Sequence, residues 1–174
     1  MSEPLWQHLL APKDPCGRVL FHLCRGFAIV GGLVLMMITV MSVASTASRA
    51  VTGRPLLGDF ELVQLGCAVA VAAFLPWGQM RRSHVLVDFF TIGVTLNTRR
   101  VLDGIGALLV AGCAALIAWR MMIGTVDLRN SSETSMLLGV PIWYAYALMV
   151  PSFMLLTLAG LHTAWSEFRG VRQP

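Results

Sequence analysis

The chain has 174 residues, of which 56% are hydrophobic and 13% are charged, and its mean hydropathy is +0.72. Soluble domains contain about 25% charged residues, so this composition excludes an ordinary soluble domain and predicts a membrane protein. The net charge of +4 is distributed among the loops rather than concentrated in one basic stripe. Nucleic acid is therefore not an expected partner.

Four long runs without charged residues predict four transmembrane helices in a single membrane domain, residues 1–174. The third run has 16 residues between Asp103 and Arg120, so we expect these two side chains to reach toward the interfaces. In the fourth run, Pro141 is suited to the first position of a helix. The predicted fold is all-α, with spans at about 26–48, 60–79, 102–121 and 141–165.

Lysine and arginine residues are unequally divided between the two sides of these spans. Nine belong to the N-terminal segment, the connection between the second and third spans, and the C-terminal tail, whereas four belong to the other two connections. The positive-inside rule therefore predicts that both termini face the cytoplasm.

The connection between the second and third spans has an amphipathic pattern. His84, Asp88, Thr91 and Thr95 form one polar stripe among apolar residues. A segment of about 12 residues is too short to cross a bilayer, so we predict a helix over 84–95 that lies at the interface. A short re-entry of the second span is the alternative. His84 and Asp88 are one turn apart, so they are interpreted either as a local hydrogen-bonded pair or as a partner contact.

Small residues recur at helical spacing inside the spans. Ala107, Ala111 and Ala115 repeat every four residues in the third span, and Gly66 and Ala70 do so in the second. Small side chains let membrane helices approach closely. The alanine stripe is therefore a candidate contact, either with a partner or with another helix of the chain.

The middle of each predicted span contains no Asp, Glu, Lys or Arg. A carrier of an anion needs a cation or free helix ends near the middle of the membrane. We therefore expect that this chain is not itself the carrier.

Acidic residues occur at the predicted helix ends. Asp59 is placed to cap the second span, and Glu61 follows in its first turn, where a carboxylate interacts favourably with the helix dipole. Asn130 and Glu133 have the spacing of a capping box, which predicts a short helix before Gly139. Contact with a partner is the alternative role for Asp59 and Glu61.

Signals for enzymatic or cofactor chemistry are weak. The four cysteines, Cys16, Cys24, Cys67 and Cys113, include no C-x-x-C pair, so neither disulfides nor a zinc site is expected. The sequence has no G-x-S-x-G, no H-E-x-x-H and no phosphate-binding glycine loop. His22 and His162 are the remaining haem-ligand candidates, and we interpret them as interfacial side chains. We predict that the chain is not an enzyme and has no cofactor.

Two stretches carry the features of a known family. In residues 53–90, Glu61 opens the second span and a basic turn leads into HVLVD, residues 84–88. In residues 132–158, SETSMLLGVPIWYAYALMVPSFMLLTL, hydroxyl residues, a proline and aromatic residues lead into the fourth span. This pattern resembles the small membrane subunit of TRAP transporters, the DctQ-type permease, over most of residues 20–168. Pro76 departs from it, because small residues are expected there.

The resemblance implies a tripartite uptake system in the bacterial inner membrane. A periplasmic binding protein captures an organic acid, and a large permease subunit moves it by an elevator-type mechanism coupled to sodium. The small subunit accompanies the large one without binding substrate. The implied partners are therefore the large permease subunit, the binding protein and membrane lipid.

Charged residues near the outer ends of the predicted spans are candidates for docking of the binding protein. They are Arg49, Arg54, Asp59, Asp127, Arg129 and Glu133. Two rival functions remain open. A small four-helix exporter usually has a glutamate in its first span, which is missing here, and the membrane anchor of a respiratory enzyme needs haem ligands.

Overall fold

The computed structural model describes residues 15–53, 57–81 and 96–171, and only the backbone of residues 15–16, 96–100 and 170–171. These ranges form four helices and no β-strand: α1 (Pro15–Thr52), α2 (Asp59–Met80), α3 (Leu96–Asn130) and α4 (Trp143–Val171). All four are long and apolar enough to cross a membrane, which confirms the predicted all-α membrane fold. The interfacial helix expected at 84–95 lies outside the described residues.

Two of the helices are much longer than the spans expected from charge. α1 has 38 residues and α3 has 35. At 1.5 Å per residue their lengths are about 57 Å and 52 Å, whereas the hydrocarbon core is about 30 Å thick. A helix satisfies its own backbone hydrogen bonds in water as well as in lipid. A charged residue that marks the membrane edge therefore need not end the helix.

α2 and α4 each contain a proline that does not end the helix. α2 continues past Pro76 to Met80, and α4 continues past Pro151 to Val171. Because a proline cannot donate a hydrogen bond to the preceding turn, we predict a kink in α4 at Pro151.

The helices form an open row rather than a closed four-helix bundle. α1 packs on α2, α2 packs on α4, and α4 packs on α3, while α1 touches α4 only slightly. The spatial order is therefore α1, α2, α4, α3, with α1 and α3 at the two ends of the row. Each end helix keeps much of its surface free of other described helices.

Small residues set the close contacts within the row. A β-carbon added at Gly31 of α1 would lie 2.9 Å from the Ala73 Cβ of α2, and one added at Gly160 of α4 would lie 2.9 Å from the Ala111 Cβ of α3. Without a hydrophobic force between helices in lipid, such close approach provides the packing energy.

The α3–α4 loop, residues 131–142, differs from the short helix expected there. Thr134 and Pro141 form an isolated antiparallel bridge, the Ile142 amide donates to the Glu133 carbonyl, and Asn130 is the last residue of α3. The capping-box prediction is therefore wrong, because residues 133 and 134 pair across the loop instead of starting a helix. The same pairing holds Pro141 in the loop, so α4 begins at Trp143.

Candidate functional site: the polar cluster at the start of the second helix

The start of α2 carries a polar cluster that joins three parts of the chain. Its centre is formed by Asp59 and Glu61, two half-buried carboxylates in the first turn of the helix. We call this side of the molecule the Asp59 end and the opposite side, where α2 finishes, the Trp77 end.

Asp59 connects α2 to α1. Its Oδ1 accepts a 2.7 Å hydrogen bond from the amide of Phe60, and its Oδ2 accepts a hydrogen bond from the hydroxyl of Ser45. Ser45 is buried in α1. The residue at the N-cap position is Gly58, which has no capping side chain, and Asp59 is the first residue of the helix. The prediction that Asp59 caps the helix is therefore wrong by one residue. The carboxylate interacts favourably with the dipole of its own helix and also links α2 to α1 through Ser45.

Glu61 fixes the α3–α4 loop. Its Oε2 accepts hydrogen bonds from the Ser135 hydroxyl (2.6 Å) and the Leu138 amide (3.2 Å), and its Oε1 accepts one from the Leu137 amide (3.0 Å). These three donors are 74 or more residues away in sequence. Hydrogen bonds to an ionised acceptor are stronger than neutral ones. The Glu61 carboxylate is therefore bound by donors of its own chain rather than free to bind a partner.

The loop bound by Glu61 is itself ordered by backbone bonds. The Ser135 amide donates to the Val140 carbonyl at 2.9 Å, and the Gly139 amide donates to the Ser135 carbonyl at 3.1 Å. Gly139 has φ of 64°, a left-handed conformation that glycine adopts at no steric cost. Met136, at the tip, is 99% exposed, so the loop presents an apolar side chain outward from a rigid base.

The remaining candidates at the Asp59 end are dispersed. Arg49, Asp127, Arg129 and Glu133 are all exposed. The Arg129 guanidinium lies 5.5 Å from the ring centre of Trp143, and Glu133 accepts a 3.4 Å hydrogen bond from Ser131. Arg54 lies outside the described residues, as do His84 and Asp88.

The three alanines of the predicted stripe in α3 lie in two different environments. Ala107 and Ala111 are buried against Gly160 of α4, whereas Ala115 is exposed. Of the two predicted roles, Ala107 and Ala111 therefore have the second, contact with another helix of the chain. They pack the chain internally because α4 offers a glycine at the same level.

An apolar groove of about 490 Å³ lies between α1, α2 and the start of α4. Met37 and Ile38 of α1, Leu65 and Gly66 of α2, and Tyr144 and Leu148 of α4 are among its lining residues. This lining contains no charged side chain. The groove suits a hydrocarbon chain or an apolar side chain and offers no cation to an organic anion.

One charged residue lies inside an apolar helix. The stretch of α3 that could span a membrane, Val101–Asn130, includes Arg120, and ten residues follow Arg120 before α3 ends. Arg120 therefore does not mark the end of the helix, and the apolar part of α3 continues past it. An arginine at the centre of a membrane helix costs about 2.5–3.5 kcal/mol on insertion scales. Arg120 is exposed.

The described residues offer little for catalysis or metal binding. Among them, no group of three or more His, Cys, Asp or Glu side chains is placed to hold a metal ion. The polar cluster contains carboxylates and hydroxyls that satisfy one another. It can fix the relative positions of α1, α2 and the α3–α4 loop.

Ser45, Ser135 and Arg120 were missed by sequence reasoning as functional residues. A single serine in an apolar helix or in a loop gives no local signal, and its acidic partner is far away in sequence. Arg120 had a signal, since the apolar residues after it, Met121 to Val126, indicate that the span continues.

No curated protein and no solved structure gave a significant match to the chain. A family model described as "Tripartite ATP-independent periplasmic transporters, DctQ component" matches residues 29–170. The match includes all of α2 and α3 and nearly all of α1's apolar part and α4. The chain therefore belongs to the DctQ family and is a small permease subunit of a TRAP transporter, a membrane transport component and not an enzyme.

Proposed function

We propose that this subunit is a scaffold for the large permease subunit of an organic-acid uptake transporter and that it does not line the substrate path. The transport is driven by an ion gradient, with sodium as the coupling ion that the family resemblance implies. The observation that carries the proposal is the open row of helices, which leaves broad apolar surfaces on a protein whose family works in a complex.

The exposed surfaces of the end helices support a scaffold. Met37 of α1 is 70% exposed, and Leu109 and Trp119 of α3 are 65% and 70% exposed. In a membrane such faces contact lipid or the apolar helices of another subunit. An open row provides more of this surface than a closed bundle of the same four helices.

The distribution of polar groups supports a path outside this chain. The half-buried carboxylates Asp59 and Glu61 are occupied by Ser45, Ser135 and loop amides. The apolar groove has no cation, and Arg120 is on the exposed surface of an end helix. A transported organic anion needs several fixed partners near the middle of the membrane.

We also propose that this subunit contributes to docking of the binding protein, on the basis of its predicted orientation in the membrane. With both termini in the cytoplasm of a bacterial inner membrane, the Asp59 end faces the periplasm. The α3–α4 loop and the exposed charges of Arg49, Asp127, Arg129 and Glu133 are then accessible to the periplasmic binding protein. Because exposed charges are screened by salt, their contribution to docking is greatest at low ionic strength.

The experiment is co-expression of this chain with the large permease subunit, followed by purification through a tag on the small subunit and reconstitution with the binding protein. We expect a stable complex of the two membrane subunits, and uptake that is lost when the small subunit is omitted. Charge reversal at Arg129 and Glu133 should weaken uptake more at low salt than at high salt. Purification of this chain with soluble redox subunits, or as a self-dimer that exports a solute alone, would contradict the proposal.

A further inference from the structure

α3 has two faces with opposite exposure. The buried face, with Ala107, Ala111, Ala114 and Ala118, packs on α4. On the other side, exposed residues recur every three or four positions. We call them the α3 outer stripe: Leu109, Cys113, Leu116, Arg120, Ile123 and Asp127. This spacing is that of a helix seam. α3 lies at an end of the row, and α4 is the one described helix that packs extensively on it, against the opposite, buried face.

Arg120 lies well inside the apolar part of α3. Between Asp103 and Asp127 the helix has 23 residues, about 35 Å, and Arg120 is the one charged residue among them. It is seven residues, about 10 Å, from Asp127. A β-carbon added at Gly124, one turn later, would lie 3.7 Å from the ring of Tyr146 in the first turn of α4. Arg120 is therefore one turn deeper than the start of α4.

The guanidinium group has no partner within the part of the chain that the structure describes. Hydrogen bonds, ion pairs and ring contacts are all missing for Arg120 there. The charge thus requires an anion from outside the described residues, because a guanidinium group cannot be deprotonated in a protein.

A lipid phosphate is a poor candidate for that anion. The nearer interface is toward the C-terminal end of α3, at Asp127, but side chains of a helix lean toward its N-terminus. At position 120 this preferred direction is away from the nearer headgroups, so it opposes the reach toward the interface that the charge pattern predicts. Acyl chains at that depth offer no hydrogen-bond acceptor, whereas a carboxylate on a neighbouring helix does.

We propose that the α3 outer stripe is the docking surface for a transmembrane helix of the large permease subunit, and that this helix carries a carboxylate that pairs with Arg120. The inference rests on the proposed scaffold function and assigns its contact face. Cys113, a small residue two turns from Arg120, leaves room for close approach of the two helices.

The test compares two exposed leucines of α3 in the complete complex. Leu116 belongs to the α3 outer stripe and is 66% exposed, and Leu108 lies off the stripe and is 51% exposed. A photoreactive amino acid at Leu116 should crosslink to the large permease subunit, and the same group at Leu108 should not. Crosslinking from Leu108 and none from Leu116 would overturn the assignment.

A second measurement tests the charge. Arg120→Leu should lower the affinity for the large permease subunit by about tenfold or more, since it leaves the partner carboxylate unpaired, while Arg120→Lys should lower it less. Neither change should lower the midpoint of thermal unfolding of the isolated subunit, because Arg120 has no hydrogen bond or ion pair among the described residues. Unchanged affinity in Arg120→Leu, with the wild type still forming the complex, would show that Arg120 contacts only lipid and would refute the inference alone. Failure of the wild type to bind would refute the scaffold function itself.

Discussion

Asp59 and Glu61 are two residues apart in sequence, yet each fixes a different part of the molecule. Asp59 accepts a hydrogen bond from Ser45 of α1, and Glu61 accepts three from the α3–α4 loop. The helix geometry explains the division, because positions two apart point to different sides of α2. The two carboxylates thus connect α1, α2 and the α3–α4 loop at the Asp59 end.

Replacement of Glu61 by Gln should loosen the α3–α4 loop. The neutral amide has one acceptor oxygen in place of two, and its NH2 group faces either the Leu137 amide or the Leu138 amide, donor against donor. We expect several-fold faster hydrogen exchange at those two amides. Glu133→Gln is the control, since the exposed Glu133 carboxylate accepts one long hydrogen bond, 3.4 Å from Ser131. Equal exchange in the two variants would mean that Glu61 does not hold the loop.

Gly58→Ala should destabilise the protein by about 1–3 kcal/mol, through strain at a left-handed position and overlap with Leu138. Gly58 has φ of 77°, and an added β-carbon there would overlap the Leu138 side chain. Gly53→Ala is the matched control, because its φ is 70° but its β-carbon would have no described atom within 4 Å. The midpoint of thermal unfolding should therefore fall further for Gly58→Ala than for Gly53→Ala. Equal shifts would remove the contact with Leu138 from the explanation.

At the scale of elements, the α3–α4 pair shows how small residues organise the row. Ala107 and Ala111 meet Gly160, and a β-carbon at Gly104 would lie 3.1 Å from the Phe168 ring. The helices are antiparallel neighbours that pack tightly along much of their length. The face of α3 that carries these contacts is not free for the large permease subunit.

Ala111→Leu should destabilise the subunit by about 1–3 kcal/mol, because the larger side chain forces α3 away from α4. Ala115→Leu, four residues later on an exposed surface, should change stability by less than about 0.5 kcal/mol. Thermal unfolding of the purified subunit in detergent distinguishes the two. A destabilised Ala115→Leu with an unaffected Ala111→Leu would reverse the assignment of the faces.

The four helices were predictable because long charge-free runs have few alternatives in a chain of this composition. The helix ends were less predictable, since α1 and α3 continue beyond the charges that limit the apolar runs. The contact of Glu61 with Ser135 could not be predicted, because it joins residues 74 positions apart. The neighbour of Ala111 could not be predicted either, because small residues occur at helix contacts within a subunit and between subunits alike.

At the scale of the whole molecule, the open row and the unequal distribution of charge give two separate expectations. The row predicts that a second subunit covers part of its apolar surface. The distribution of Lys and Arg, nine on one side and four on the other, predicts the orientation.

Topology can be measured with reporter fusions. Residues 1–20, 80–100 and 168–174 should report a cytoplasmic location, and residues 50–58 and 124–134 should report a periplasmic one. The physical reason is the positive-inside bias of the connections. A periplasmic C-terminus would contradict the orientation and would also remove the α3–α4 loop from the reach of the binding protein.

The central claim is that this subunit supports transport without lining the path. The most direct measurement is uptake of two competing organic acids into liposomes, with the large permease subunit and the binding protein kept constant. Polar substitutions in the apolar groove, such as Leu65→Asn, and removal of the charge by Arg120→Leu should alter assembly or rate. They should leave the ratio of the two substrates unchanged. A changed ratio in either variant would mean that this subunit contacts the substrate, and the scaffold account would be wrong.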